Sequence, residues 1–171
     1  MSMALRALAG SVAALSLIGT KADAAQQSFQ VSADVVTGCS VATSGSSQWG
    51  SINLGTVSGV QSGTITAGLV SVGGTGLRID CTPGTSVNVT ADIGSNASGG
   101  VRRLALAGDA TRTISYRLYV NGTTEWTTQS IAIVFPPGTT RVSLPVAGTA
   151  TLPGSQKAGT YSDTVRVTLA W

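Results

Sequence analysis

The sequence predicts an all-β protein, a two-sheet sandwich of about seven strands. Three observations carry that prediction. Gly, Ser, Thr, Val and Ala dominate, with 22 glycines in 171 residues, a mixture that favours strands and turns. Apolar residues recur with a period of two in segment after segment, the pattern of strands with one buried face. The five prolines, Pro83, Pro136, Pro137, Pro145 and Pro153, stand at presumed turns, and no helix of length is visible in the body of the chain.

In chain order, the first element is an export leader. Arg6 forms a basic start, Ala7 to Ile18 an apolar run, and Ala22, Asp23 and Ala24 a small-residue site suited to cleavage before Ala25. Residues 1–24 are therefore read as a signal peptide. The run is shorter than the roughly 20 residues that span a bilayer, and no later segment approaches that length, so no membrane insertion is expected. Residues 25–36 form the next segment, in which Phe29, Val31, Ala33 and Val35 share one face. On its pattern alone this is a first strand. A single domain then occupies residues 37–171.

Within that domain, alternating strands are expected at Leu77, Ile79, Cys81; at Val87, Val89, Ala91, Ile93; at Ile114, Tyr116, Leu118, Val120; at Ile131, Ile133, Phe135; and at Val142, Leu144, Val146. Thr82-Pro83-Gly84, Asn121-Gly122 and Pro136-Pro137-Gly138 supply the turns between them. The strand Asp109 to Val120 sets a register problem, because Tyr116 and Tyr119 cannot both face inward from one regular strand. The last element alternates to the final residue: Tyr161, Val165, Val167, Leu169 and Trp171 are apolar, and Ser162, Thr164, Arg166 and Thr168 between them are polar. It is read as one half-buried strand at the edge of its sheet.

Cys39 and Cys81 are the two cysteines, and in an exported chain an even number most simply makes a disulfide. A metal site would lack its remaining ligands, because the chain has no histidine and no other thiol. A loop of this length contributes on the order of 4 kcal/mol through lost chain entropy. With Arg6, Lys21 and Asp23 in the leader, the net charge of +3 falls to +2, and the bases are scattered apart from Arg102 and Arg103. No stripe follows a phosphate backbone, so nucleic acid is not an expected partner.

Chemistry is equally sparse. Without histidine the commonest general base is missing, the six acids outside the leader show no paired spacing, and neither catalytic, cofactor nor metal residues are assigned. Gly73-Gly74-Thr75-Gly76 lacks the Lys and Ser or Thr of a phosphate loop and is read as a turn. Asn88, Asn96 and Asn121 open N-x-Ser/Thr triplets of the kind that arise by chance in a chain this rich in Ser and Thr. Trp49, Trp126, Trp171, Tyr116, Tyr119 and Tyr161 are read as core rather than as a sugar-stacking platform, since most fall on alternating core positions.

In order along the chain, these features resemble the spore coat protein U domain family, whose members include subunits of Csu-type pili of the archaic chaperone-usher pathway. The matching positions are the alternating segment leading to Thr37-Gly38-Cys39, then Trp49-Gly50 with Leu54-Gly55, then Cys81. Tyr116-Arg117-Leu118-Tyr119 with Trp126 follows, and last the run from Ala158 through Gly159-Thr160-Tyr161-Ser162-Asp163-Thr164 to Trp171.

The resemblance implies an incomplete immunoglobulin-like sandwich that lacks its final strand and receives it from a partner by β-augmentation. Phe29, Val31, Ala33 and Val35 would be the donor side chains. The acceptor groove would be lined by Tyr161, Val165, Val167, Leu169 and Trp171, with Trp171 a buried anchor at its end. The implied partners are a periplasmic pilus chaperone, an outer-membrane usher and other pilin subunits, met in the periplasm before the chain reaches a surface pilus that supports adhesion and biofilm formation. Family tip adhesins carry an additional N-terminal domain, so room for one domain implies a shaft or adaptor subunit. The alternative is a self-contained secreted coat or glycan-binding module.

Overall fold

A computed structural model describes residues 27–42 and 48–171. The signal-peptide reading of residues 1–24 lies outside the described residues. The chain divides into a unit ending at Asp34 and a second running from Val35 to Trp171. Described residues 27–34 of the first contain no strand, and Phe29 and Val31 are solvent-exposed. The alternation there therefore does not produce a first strand in the lone chain. Among the described residues no helix is long and apolar enough to cross a membrane.

The second unit is all β. Its elements are β1 (Cys39–Val41), β2 (Gly50–Ile52), β3 (Ser62–Ser71), β4 (Gly74–Thr75), β5 (Leu77–Cys81), β6 (Ser86–Ala91) and β7 (Arg103–Leu106). There follow β8 (Asp109–Val120), β9 (Thr124–Glu125), β10 (Ile131–Val134), β11 (Arg141–Leu144), β12 (Val146–Pro153), β13 (Tyr161–Ser162) and β14 (Val167–Ala170). Among the described residues these form three antiparallel sheets. The largest has the order β13-β7-β8-β12-β3-β2, with β4 on β3 and β9 on β8; the others are β1-β5-β11 and β10-β6-β14.

The two small sheets supply Leu77, Ile79, Val87, Val89 and Ile133 to the same buried cluster that receives Ile114, Tyr116, Leu118, Val120, Ala150 and Leu152 from the large one. This is the expected sandwich, with the period of two sending alternate residues of β5, β6, β8 and β12 inward. Tyr116 faces the core and Tyr119 lies on the other face of β8, which resolves the register. Pro145 separates β11 from β12, and its carbonyl accepts the Asn121 amide at 3.0 Å. Gly148 on β12 is inward and small because Ile52 presses on it: a Cβ there would stand 3.2 Å from the isoleucine Cγ2.

Cys39 and Cys81 are directly opposite in the β1–β5 ladder and are joined by a disulfide that spans 42 positions of sequence. Two corrections concern the chain end. The segment from Tyr161 to Trp171 is not one strand: β13 pairs with β7 in the large sheet, and β14 pairs with β6 in another. Nor is Trp171 a core residue of the lone chain; it is 60% exposed, whereas Trp126 is buried and Trp49 partly so.

Candidate functional site

The site begins as an unpaired edge. β14 is bonded to β6 and, among the described residues, has no strand on its other side. The Asp92 amide donates to the Arg166 carbonyl at 2.9 Å. The backbone groups of even-numbered residues here therefore turn toward β6, and strand alternation aims those of Val165, Val167 and Leu169 at the open side. A row of free amides and carbonyls is a template for another strand.

The core lies open along the same edge. On β6 the inward residues Val87, Val89 and Ala91 are between 0% and 2% exposed, whereas Val167 and Leu169, inward on the adjacent strand, are only half-buried. A cavity of about 530 Å³ opens beside them. Val165 and Val167 form one wall, Trp49, Ile52 and Leu54 line it from the β2 region, and Tyr116, Leu118 and Trp126 line it from the large sheet and its neighbouring loop. Asp163, Thr164 and Arg166 bring polar groups to it.

What holds the site in shape is the crossing between β13 and β14. Tyr116 donates from its hydroxyl to Asp163 Oδ2 at 2.6 Å, while Asn96 donates to Asp163 Oδ1 from its backbone at 3.0 Å and from its side chain at 3.1 Å. Burial pushes the Tyr116 hydroxyl far above its usual pKa, and the carboxylate beside it pushes the same way. The Ser95 amide donates to the Thr164 carbonyl at 3.0 Å, and the Arg166 amide donates to Asp92 Oδ1 at 3.0 Å. Gly94 has φ +84°, and a Cβ there would collide with the Asp163 carboxylate.

Arg102 braces this corner from inside. It is 7% exposed, and its guanidinium donates to the carbonyls of Asp92, Trp126 and Thr127. A buried cation is tolerated there because its fork of donors meets carbonyl oxygens. It fixes the loop after β6 to the segment that carries Trp126 into the cavity wall.

Of the residues expected to line the groove, Val165 and Val167 stand at the cavity and Leu169 continues their row along β14. Tyr161 does not join them; it sits in the large sheet opposite Leu106, and its hydroxyl donates to the Lys157 carbonyl at 3.0 Å. Trp171 follows β14 at the exposed end of the row. Sequence reading did not assign Ile52, Leu69 and Leu104 to the site. Nor did it find the Tyr116–Asp163–Asn96 clasp, in which Asn96 was noticed for a different pattern.

The spore coat protein U domain profile matches residues 25–168. No curated protein matches the sequence. Among solved structures, the chain is similar to the CsuC–CsuE chaperone–tip adhesion subunit pre-assembly complex from archaic chaperone-usher Csu pili of Acinetobacter baumannii. The identity is 18% and the TM-score 0.54, over 80% of this chain and 40% of that one. A chaperone–tip adhesin complex of CFA/I fimbriae biogenesis follows at 15% identity and TM-score 0.46, over 77% of this chain and 41% of that one. The chain thus spans less than half of either matched chain, and its likeness to the Csu complex is one of fold.

Proposed function

The chain belongs to the spore coat protein U domain family, and from its open sandwich we propose that it is a structural subunit of a surface pilus built by the chaperone-usher pathway. The observation that carries this reading is the coincidence of an unpaired edge at β14 with a half-exposed row of inward apolar residues and a cavity into the core. A strand added there would satisfy the backbone of Val165, Val167 and Leu169 and close the sandwich in one step.

The donor is the segment 25–36 of a neighbouring subunit, with Phe29, Val31, Ala33 and Val35 as its inserted side chains. Phe29, Val31 and Val35 are between 83% and 87% exposed in the lone chain, an exposure that insertion would remove. In transit through the periplasm a chaperone strand fills the groove, and an outer-membrane usher exchanges it for the next subunit's segment. On this reading residues 1–24 are the leader that exports the chain, and the protein has no turnover and no cofactor. Its work is mechanical, in a fibre used for attachment and biofilm formation.

Electrophoresis without and with boiling, on protein taken from the cell surface, tests the proposal. The full chain should give a ladder of oligomers that collapses to monomer on boiling, and a chain lacking Ala25 to Val36 should give none. Monomer alone in both cases would make the protein a self-contained secreted module.

A further inference from the structure

Of the four asparagines, Asn121 alone is followed by glycine; Asn53, Asn88 and Asn96 precede Leu54, Val89 and Ala97. We infer that Asn121-Gly122, in the turn between β8 and β9, is a site of self-modification at which the asparagine loses ammonia through a cyclic imide and becomes aspartate or isoaspartate. The backbone nitrogen of Gly122 attacks Cγ of the Asn121 side chain. The new N–C bond forms as the bond from Cγ to the side-chain nitrogen breaks, and ammonia leaves with the proton that the Gly122 nitrogen gives up. Water then opens the imide. Addition at Cγ restores the original backbone with an aspartate, and addition at the backbone carbonyl leaves the chain running through Cγ as isoaspartate. Nothing is oxidised or reduced, and water is the co-reactant.

The reaction needs a free nucleophile, an amide that nothing holds, and room to turn. Gly122 is exposed, with nothing within 4 Å of the place a Cβ would occupy, and among the described residues its N–H donates no backbone hydrogen bond. The Asn121 side chain is also exposed. The other three asparagines are engaged: Asn96 donates from its side-chain nitrogen to the Ser162 carbonyl and to Asp163, Asn53 Oδ1 accepts the Gly55 amide, and Asn88 Oδ1 accepts the Ser130 hydroxyl. Room comes from an apolar cavity of about 230 Å³ that Gly122 borders together with Leu69, Pro145, Val146 and Ala147.

The two products act differently on the turn. Asn121 has φ +50° and is the one non-glycine residue with positive φ among those described. Asparagine and aspartate both tolerate this left-handed region, so the aspartate form keeps the turn and adds a negative charge. Isoaspartate adds the charge and also one backbone atom, in a turn whose register is set by the Val120–Thr124 pair and by the Asn121 amide donating to the Pro145 carbonyl at 3.0 Å. In a structural subunit that stays in use after synthesis, the converted fraction would record the age of the chain. The conversion is independent of the pilus reading, and a chain that forms no fibre would undergo it equally.

Peptide mapping of the full-length protein, held at mildly alkaline pH and compared with a zero-time sample, tests the site. The tryptic peptide from Leu118 to Arg141 should gain the mass difference between an amino and a hydroxyl group, and part of the product should accept methyl groups from an isoaspartyl methyltransferase. Asn121→Gln should abolish the gain, because its ring would have to be larger. A gain that maps to Asn53, Asn88 or Asn96, a protein unchanged under conditions that convert the free peptide, or a product that is aspartate alone would overturn the inference. Separated by ion exchange, the isoaspartate form should show a lower thermal transition than the unconverted protein, and the aspartate form should not; equal transitions of the isoaspartate and unconverted forms would overturn the effect assigned to the turn.

Discussion

Asp163 is the residue on which the site's geometry turns. Its two oxygens accept from Tyr116 and Asn96, and so hold the chain where it leaves the large sheet to reach β14. Replacing Tyr116 by Phe should lower stability by about 1–2 kcal/mol, since it removes a hydrogen bond to a charged group at a partly buried site. The pH dependence gives a second signature. Because the Tyr116 pKa is raised by burial and by Asp163, the unfolded chain releases this proton at about pH 10 while the folded chain retains it. The contribution is complete below about pH 10 and is lost as pH rises further. Urea titrations at pH 7 and pH 11 should therefore converge in Tyr116→Phe more than in the unaltered protein. Gly94 is bound to the same corner by its positive φ and by the carboxylate that would meet any side chain there.

At the scale of elements, the disulfide is the covalent contribution of β1. Its loop of 42 positions predicts that the double variant Cys39→Ala, Cys81→Ala loses on the order of 4 kcal/mol, read as the unfolding free energy extrapolated to zero urea. The strands legible in the sequence were those with strong alternation of large residues: β5 falls on Leu77–Cys81 as expected, and β6, β8, β10 and β11 cover most of the segments foreseen. β3 was not foreseen. Its sequence, SGTITAGLVS, dilutes Ile65 and Leu69 among Gly, Ser and Thr, and it is a strand because β12 and β2 pair with it on both sides. The end of the chain was misread for the opposite reason, since the alternation on either side outweighed its one interruption, the charged Asp163 on the apolar face, whose polar anchoring splits the segment between two sheets. Periodicity made the inward faces of Val165, Val167 and Leu169 legible and the resemblance alone suggested a groove there, whereas Ile52, Leu69 and Leu104, which line the cavity beside them, come from distant elements whose meeting only tertiary structure decides.

For the molecule as a whole, the lone chain is a sandwich with an unfilled edge, and its stability should depend on what fills it. A synthetic peptide of residues 25–38 should raise the thermal transition of protein lacking Ala25 to Val36. Ligand linkage puts the gain at about 2.7 kcal/mol when the peptide is at a hundredfold its dissociation constant. A peptide with Val31 and Ala33 changed to Asp should give no shift, because it would bury charges in an apolar cavity. Calorimetry across a peptide titration checks both. An unchanged transition with the native peptide would mean that the open edge does not accept this segment.

In the fibre proposed above, the place of the disulfide would matter under tension. Tension arriving along an inserted segment that ends at Val36 would enter the next sandwich at Cys39, only a few residues on, through a three-residue ladder to β5. Hydrogen bonds alone over so short an overlap would peel away one after another under load. The covalent link at the entry point instead passes the force straight into β5, the middle strand of its sheet. A subunit in an oxidised fibre would therefore yield in the body of the sandwich or at the inserted strand, while a reduced one would unravel first from β1.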